Sequence, residues 1–262
     1  MKIAVTGKGG VGKTTLSSTL ARLYAAEGRS VLAADADPDA NLGGALGFTE
    51  KELEELTPIS EMSDLIAERT GSTKENFGKF FKINPKVDDI PDRFALEKNG
   101  VKLLAMGTID SGGSGCVCPE SVMLKRVVSN LVVGRDEVVI LDMEAGLEHL
   151  GRGTADFVDR FIVVIEPGER SVQTYKKVKS LALDLGVKQI SVVANKVHGE
   201  EDRQFVRERI PAEDLLGFIS YNNEITEADR KGLSPYDVSP SALEEIKTIK
   251  AALDERQQEG KE

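Results

Sequence analysis

The sequence predicts a doubly wound α/β domain, with a mostly parallel seven-stranded sheet and helices on both faces. Three observations carry that expectation. Short β-branched apolar runs alternate with helical stretches, the runs are apolar at nearly every position as strands buried on both faces are, and the first run closes on a glycine-rich loop that opens a helix. With 262 residues and 40% hydrophobic composition the chain can bury a full core, and its length suits one large domain over residues 1–262.

The expected strands are KIAVT (2–6), SVLAAD (30–35), VKLLAM (101–106), EVVILD (137–142), FIVVIE (161–166), QISVVAN (189–195) and LLGFIS (215–220). Helical patterns between them imply right-handed crossovers and hence parallel pairing. Residues 48–100 break the rhythm with two helix-like charged segments, ELEELTPISEMSDLIAERTG and KENFGKFF, then a loop-like NPKVDDIPDRF, and read as an insertion on the domain's edge. Neither internal repeats nor low-complexity tracts occur. Near the C-terminus, Ser241 and Glu244 are expected to form a capping box for a helix whose Leu243, Ile246, Ile249 and Leu253 make one apolar seam.

Composition narrows the function classes. MKIAVTG enters a strand directly, without the basic and apolar regions of a signal peptide, and no run of about 18 apolar residues occurs, so a cytoplasmic protein that does not span a membrane is expected. A net charge of −10 gives no broad basic face for nucleic acid or anionic lipid. In a reducing compartment the two cysteines, Cys116 and Cys118, read as metal ligands or redox groups before they read as a structural disulfide.

The strongest chemical signal is GKGGVGKTT (7–15). Gly7, Gly12, Lys13 and Thr14 fit G-x-x-x-x-G-K-[ST] between a predicted strand and a predicted helix. Glycines let the backbone N–H groups of Gly9, Gly10, Val11, Gly12, Lys13, Thr14 and Thr15 curl around phosphate oxygens; Lys13 adds a charge and Thr14 a hydroxyl for Mg²⁺. Lys8 is not demanded by that pattern. With it, the loop resembles the deviant Walker A ATPases, a family that includes the nitrogenase iron protein, the MinD and ParA proteins and metal-insertion ATPases. The resemblance implies that Lys8 reaches nucleotide on an opposing subunit, so that ATP and homodimerisation are linked.

After the second predicted strand comes ADADPDANLGGALG (34–47), with Asp35 and Asp37 at the end of a parallel strand, where open α/β sheets bind ligands. Resemblance to the family's switch I implies that Asp37 positions or deprotonates the attacking water, while Asp35 and Asp39 support Mg²⁺ through waters. LDMEAG (141–146) closes an apolar strand on Asp142, as a Walker B metal helper does, and EAGLEHLGRG would follow as switch II. Asn195, Lys196, Val197 and His198 look like the guanine-reading N-K-x-D, but His198 replaces its aspartate; guanine would leave two donors without a carboxylate, which favours ATP. The resemblance implies adenine contact by Asn195.

Several uses of ATP compete. A ParA-type partitioning ATPase needs a basic stripe and a MinD-type positioning ATPase a cationic amphipathic tail. The tail EEIKTIKAALDERQQEGKE carries more acids than bases. An iron-protein cluster takes a cysteine shortly after the switch II aspartate, and here His149 stands in about that place. In GCVCPE, extended backbone would turn Cys116 and Cys118 to one side, giving two ligands where Zn²⁺ or Ni²⁺ wants about four. Two copies across a two-fold axis supply the rest. KGGVGKTT, DADPDAN and GCVCPE together resemble the CooC-type nickel-insertion ATPases, implying a homodimer carrying Ni²⁺, or Zn²⁺, to carbon monoxide dehydrogenase. A thiol redox-switched ATPase is the further alternative, though a bridge between residues i and i+2 would be strained.

Overall fold

The computed structural model describes residues 1–37, 39–72, 82–107, 119–133, 137–144, 158–187 and 189–259. Pro38, KENFGKFF, Cys116, Cys118, His149 and all of the expected switch II beyond Glu144 lie outside those residues.

All seven expected strands are present, as β1 (Lys2–Gly7), β2 (Val31–Ala36), β4 (Val101–Ala105), β5 (Val138–Met143), β6 (Arg160–Ile165), β7 (Ile190–Val197) and β8 (Leu215–Ser220). An eighth, β3 (Leu96–Lys98), corrects the count. It pairs antiparallel with β4 through a tight turn at Asn99 and Gly100, whose φ angles of 52° and 75° are those of a two-residue hairpin. The sheet order is β3-β4-β2-β5-β1-β6-β7-β8, and every pair except β3·β4 is parallel.

Among the described residues the helices are α1 (Lys13–Ala26), α2 (Leu42–Ala45), α3 (Glu50–Leu53), α4 (Ser63–Thr70), α5 (Ile90–Phe94), α6 (Pro119–Val133), α7 (Glu169–Asp184), α8 (Glu200–Arg209), α9 (Asn223–Arg230), α10 (Pro235–Val238) and α11 (Pro240–Glu259). Two core clusters lie on opposite faces of the sheet, because successive strand residues point to opposite sides. Ile3 and Val5 join Leu16, Leu20 and Leu23 of α1 and Ile246, Ile249 and Leu253 of α11. Ala4, Leu32 and Val163 face Met123, Val127 and Leu131 of α6 and Val172 and Val178 of α7. Each fully buried aliphatic side chain adds about 1.5–3 kcal/mol of transfer free energy, so this double sandwich is what holds the strand ends in place.

Within 48–100 the first charged segment is two helices rather than one. Pro58, which lacks an N–H, precedes a short 3-10 turn (Ile59–Glu61) and separates α3 from α4. The expected loop NPKVDDIPDRF ends in α5, with Pro91 in its first turn. Ile59, Leu65, Ile66, Val87 and Ile90 share a core cluster with Leu104 of β4. The C-terminal seam forms as expected, but its cap differs. Helix α11 begins at Pro240, Ser241 lies inside it and accepts from Asn222 Nδ2 at 2.7 Å, and Glu244 pairs with Lys247. Among the described residues no helix is long and apolar enough to cross a membrane.

Candidate nucleotide-binding site

The topology brings the carboxyl ends of β2, β5 and β1 side by side, with Asp35 in register with Asp142 and Asp142 with Val5. The loop after β1 therefore opens beside both aspartates. Two of its glycines are required by contact. At Gly7 (φ +150°) a Cβ would fall 2.4 Å from the Val164 carbonyl oxygen, and at Gly12 (φ +94°) it would fall 2.1 Å from Asn195 Nδ2. Above Gly9 and Gly10 nothing lies within 4 Å, so their backbone faces open space. Helix α1 starts at Lys13 with no acid in its first turn, and its positive end is free to meet an anion.

Lys13, Asp37, Thr14 and Asp142 converge. Lys13 Nζ lies 3.4 Å from Asp37 Oδ2, and Asp37 Oδ1 accepts the Asp39 N–H at 3.1 Å. Thr14 Oγ1 donates to Asp142 Oδ2 at 2.7 Å, and Ser17 Oγ donates to Asp142 Oδ1 at 3.0 Å. Ser17 was not among the expected site residues; it sits one helical turn after Thr14 on the same face, which is the pattern that reveals it. Asp35 accepts the Leu42 N–H at 2.9 Å and the Asp37 N–H at 3.2 Å, which fixes the turn between them. Burial pushes the Asp142 carboxyl up to about 6 against the hydroxyls of Thr14 and Ser17, and pushes Asp35 up to about 7 against the Leu42 amide. Two buried carboxylates beside a hydroxyl form a hard oxygen donor set, and this set fits Mg²⁺. Asp39 is exposed and lines the same cavity.

Asn195 is placed against the phosphate loop. Its Nδ2 donates to the Val11 carbonyl at 2.8 Å and its Oδ1 accepts the Lys196 N–H at 2.8 Å. Lys196, at φ 58°, donates to the Gly10 carbonyl at 2.7 Å and pairs with Glu166 at 2.6 Å. Thus the ends of β7 and of β1 are tied together. His198 stacks on Tyr221, with centroids 4.5 Å apart and planes 23° apart. A cavity of about 1260 Å³ runs from Gly9 to Thr15 past Asp37 and Asn195 to Tyr221 and Pro235. Lys8 is exposed and stands apart from that lining, its side chain making no ion pair with any described residue.

Strand β4 is parallel to β2 and next to it, so its carboxyl end lies at the same end of the sheet as those of β2 and β1. Residues 108–118, which carry both cysteines, lie between β4 and α6 in sequence and outside the described residues. Just before them, Met106 N–H donates to the Asp35 carbonyl at 2.8 Å and the Met106 carbonyl accepts the Ser60 N–H at 3.1 Å. Among the described residues no group of three or more His, Cys, Asp or Glu side chains is arranged to hold a metal ion.

The family described as the CobQ/CobB/MinD/ParA nucleotide binding domain matches residues 2–236. A Rhodospirillum rubrum protein described as carbon monoxide dehydrogenase accessory protein CooC is 49% identical over 256 residues, covering 98% of this chain and 97% of that one. An uncharacterized ATP-binding protein of Methanocaldococcus jannaschii is 47% identical over 95% of this chain and 96% of its own. Among solved structures, the MinC:MinD cell division complex of Aquifex aeolicus shares the fold, with TM-score 0.67, 18% identity and coverage of 97% of this chain and 96% of that chain.

Proposed function

The chain belongs to the CobQ/CobB/MinD/ParA nucleotide-binding family and is an ATPase, and from that premise we propose that it is a metallochaperone serving carbon monoxide dehydrogenase. The observation that carries the reading is the near full-length relationship, at 49% identity, to a protein described as an accessory to that enzyme. In this proposal Cys116 and Cys118 of two copies hold one Ni²⁺, with Zn²⁺ as the other candidate cargo, and the homodimer works in the cytoplasm without nucleic acid or membrane. The C-x-C spacing supports it, since one chain supplies only half of a four-sulfur site. The fold alone is equally that of a positioning ATPase; the 49% identity to the protein described as a carbon monoxide dehydrogenase accessory favours the metallochaperone reading.

The mechanism proposed uses the residues gathered at the sheet edge. Lys13 and the amides of residues 9–15 hold the phosphates, and Lys8 reaches across the dimer. Thr14, Asp35 and Asp142 would hold Mg²⁺, directly or through water, and the ion would supply positive charge that offsets the negative charge of the phosphates. Asp37 turns from Lys13 to the attacking water and orients or deprotonates it. Asn195 has one amide N–H beyond its bond to Val11 for the adenine edge. The Met106 N–H donates to the Asp35 carbonyl, and in this proposal a change at switch I passes along the chain from Met106 towards Cys116 and Cys118.

The test is reconstitution. Nickel-free carbon monoxide dehydrogenase mixed with Ni²⁺ should activate faster with this protein and ATP than without it, and Cys118→Ser should remove the acceleration. Activation at the same rate with and without the protein contradicts the proposed client.

A further inference from the structure

Three hydroxyl-bearing residues, Ser17, Ser18 and Thr19, follow one another in α1, and they are used differently. Ser18 Oγ donates to the Thr15 carbonyl at 3.2 Å, a local bond of the kind helical serines make, and Thr19 Oγ1 is buried without a hydrogen-bond partner among the described residues. Ser17 Oγ instead reaches 125 residues along the chain to Asp142 Oδ1, at 3.0 Å. Both ends of that bond are fully buried. A buried hydroxyl that leaves its own helix to meet a buried carboxylate fixes where that carboxylate points.

The backbone beneath Asp142 is held by other means. Strand β5 is paired with β1 on one side and β2 on the other, and Thr6 Oγ1 donates to the Glu144 carbonyl at 2.8 Å just past the strand's end. Ser17 therefore acts on the carboxylate alone. Thr14 Oγ1 holds the other oxygen, Oδ2, at 2.7 Å, but Thr14 lines the cavity and is the hydroxyl assigned to Mg²⁺, so it serves two partners. Ser17 does not line the cavity, and among the described residues its hydroxyl donates to Asp142 only.

We propose that Ser17 is a positioning residue for the magnesium side of the nucleotide site: it holds Asp142 Oδ1 so that Oδ2 stays turned towards Thr14. The inference rests on the reading of Thr14 and Asp142 as Mg²⁺ residues and is independent of the cysteines. With both hydroxyls in place the carboxylate has one orientation before the ion arrives. Without Ser17 it can swing about its side-chain torsion, and part of the ion's binding energy is lost to ordering it.

Calorimetry on the full-length protein tests it, with ADP as the ligand in excess Mg²⁺ and again in EDTA. The ratio of the two affinities measures what the ion adds. Ser17→Ala, which puts a good helix former at that position, should lower the ratio by about 10-fold or more, while metal-free ADP affinity stays within about two-fold of the wild type. Ser17→Thr, which keeps a hydroxyl there, should recover most of the ratio. A wild-type ratio in Ser17→Ala overturns the proposal. Equal weakening of ADP with and without Mg²⁺ overturns it too, because Ser17 would then support the phosphate loop and not the ion. A ratio near one in the wild-type protein would remove Mg²⁺ from Thr14 and Asp142, and this inference with it.

Discussion

Lys13 Nζ and Asp37 Oδ2 stand 3.4 Å apart, with only 6% and 15% of the two side chains exposed, so the cation of the phosphate loop and the acid of the following switch are partners of each other. A γ-phosphate that engages Lys13 competes with Asp37 for the same ammonium. Releasing that carboxylate frees it to face water at the reacting phosphorus.

The pair predicts opposite effects on binding and chemistry. Asp37→Ala removes the competitor, so ATP affinity by calorimetry should hold or rise, while hydrolysis should slow by about 100-fold or more because a positioned acid–base group is lost. Hydrolysis at the wild-type rate would remove Asp37 from the mechanism.

Lys8 has no ion-pair partner among the described residues and lies outside the lining of its own cavity. If it works on the opposing subunit, Lys8→Ala should leave monomer affinity for ATP within about two-fold while abolishing ATP-promoted dimers in sedimentation velocity. Undiminished ATP-linked dimerisation would place its role elsewhere.

Asp35 and Asp142 carry the pH dependence. Both carboxyls are raised by burial, to about 7 and about 6, so the folded chain binds protons that the unfolded chain has released. Their contribution to stability is fully present below the unfolded carboxyl range near 4 and is lost as pH rises through about 6 to 7. Without Mg²⁺, the melting temperature should therefore fall between pH 5 and pH 8, and Asp35→Asn should shrink that fall. Saturating Mg²⁺ should shrink it as well, because the ion neutralises the carboxylates that the proton neutralises at low pH. A pH profile unchanged by Asp35→Asn would contradict this assignment.

Gly107 is the last described residue before the cysteine connection, at φ +73°, where a Cβ would fall 2.1 Å from Ser60 Oγ and 2.8 Å from Pro58 Cβ. Gly107→Ala should cost about 1–3 kcal/mol and lower the melting temperature by several degrees. An unchanged melting temperature would show that the turn relaxes freely and does not constrain the chain leading to Cys116.

Much of this was legible in the sequence because it is local. Seven strands show as apolar runs, and GKGGVGKTT reports both its loop and its helix. Strand β3 was not read, since Leu96–Lys98 is three residues long and carries two charges, although Asn99–Gly100 is a strong hairpin signal. The C-terminal cap was misplaced by two residues because Pro240 can occupy a first helical turn, so the pattern at Ser241 and Glu244 falls inside the helix. Ser17 escaped notice for another reason: its bond is to Asp142, which only the folded sheet brings beside it. The bond from Asn195 to Val11 was not legible either, because the two are 184 residues apart in sequence.

The central claim is that two chains share one metal through Cys116 and Cys118. Titrating the reduced protein with Ni²⁺ and with Zn²⁺, with dimer mass followed in parallel, tests it most directly. One ion per dimer is expected, with metal-promoted dimerisation lost in Cys116→Ser and in Cys118→Ser, protons released on binding, and weaker binding at lower pH because thiolates are the ligands. One ion per monomer, held as tightly by the double Cys→Ser protein, would contradict the shared site and leave the metal to histidines or carboxylates.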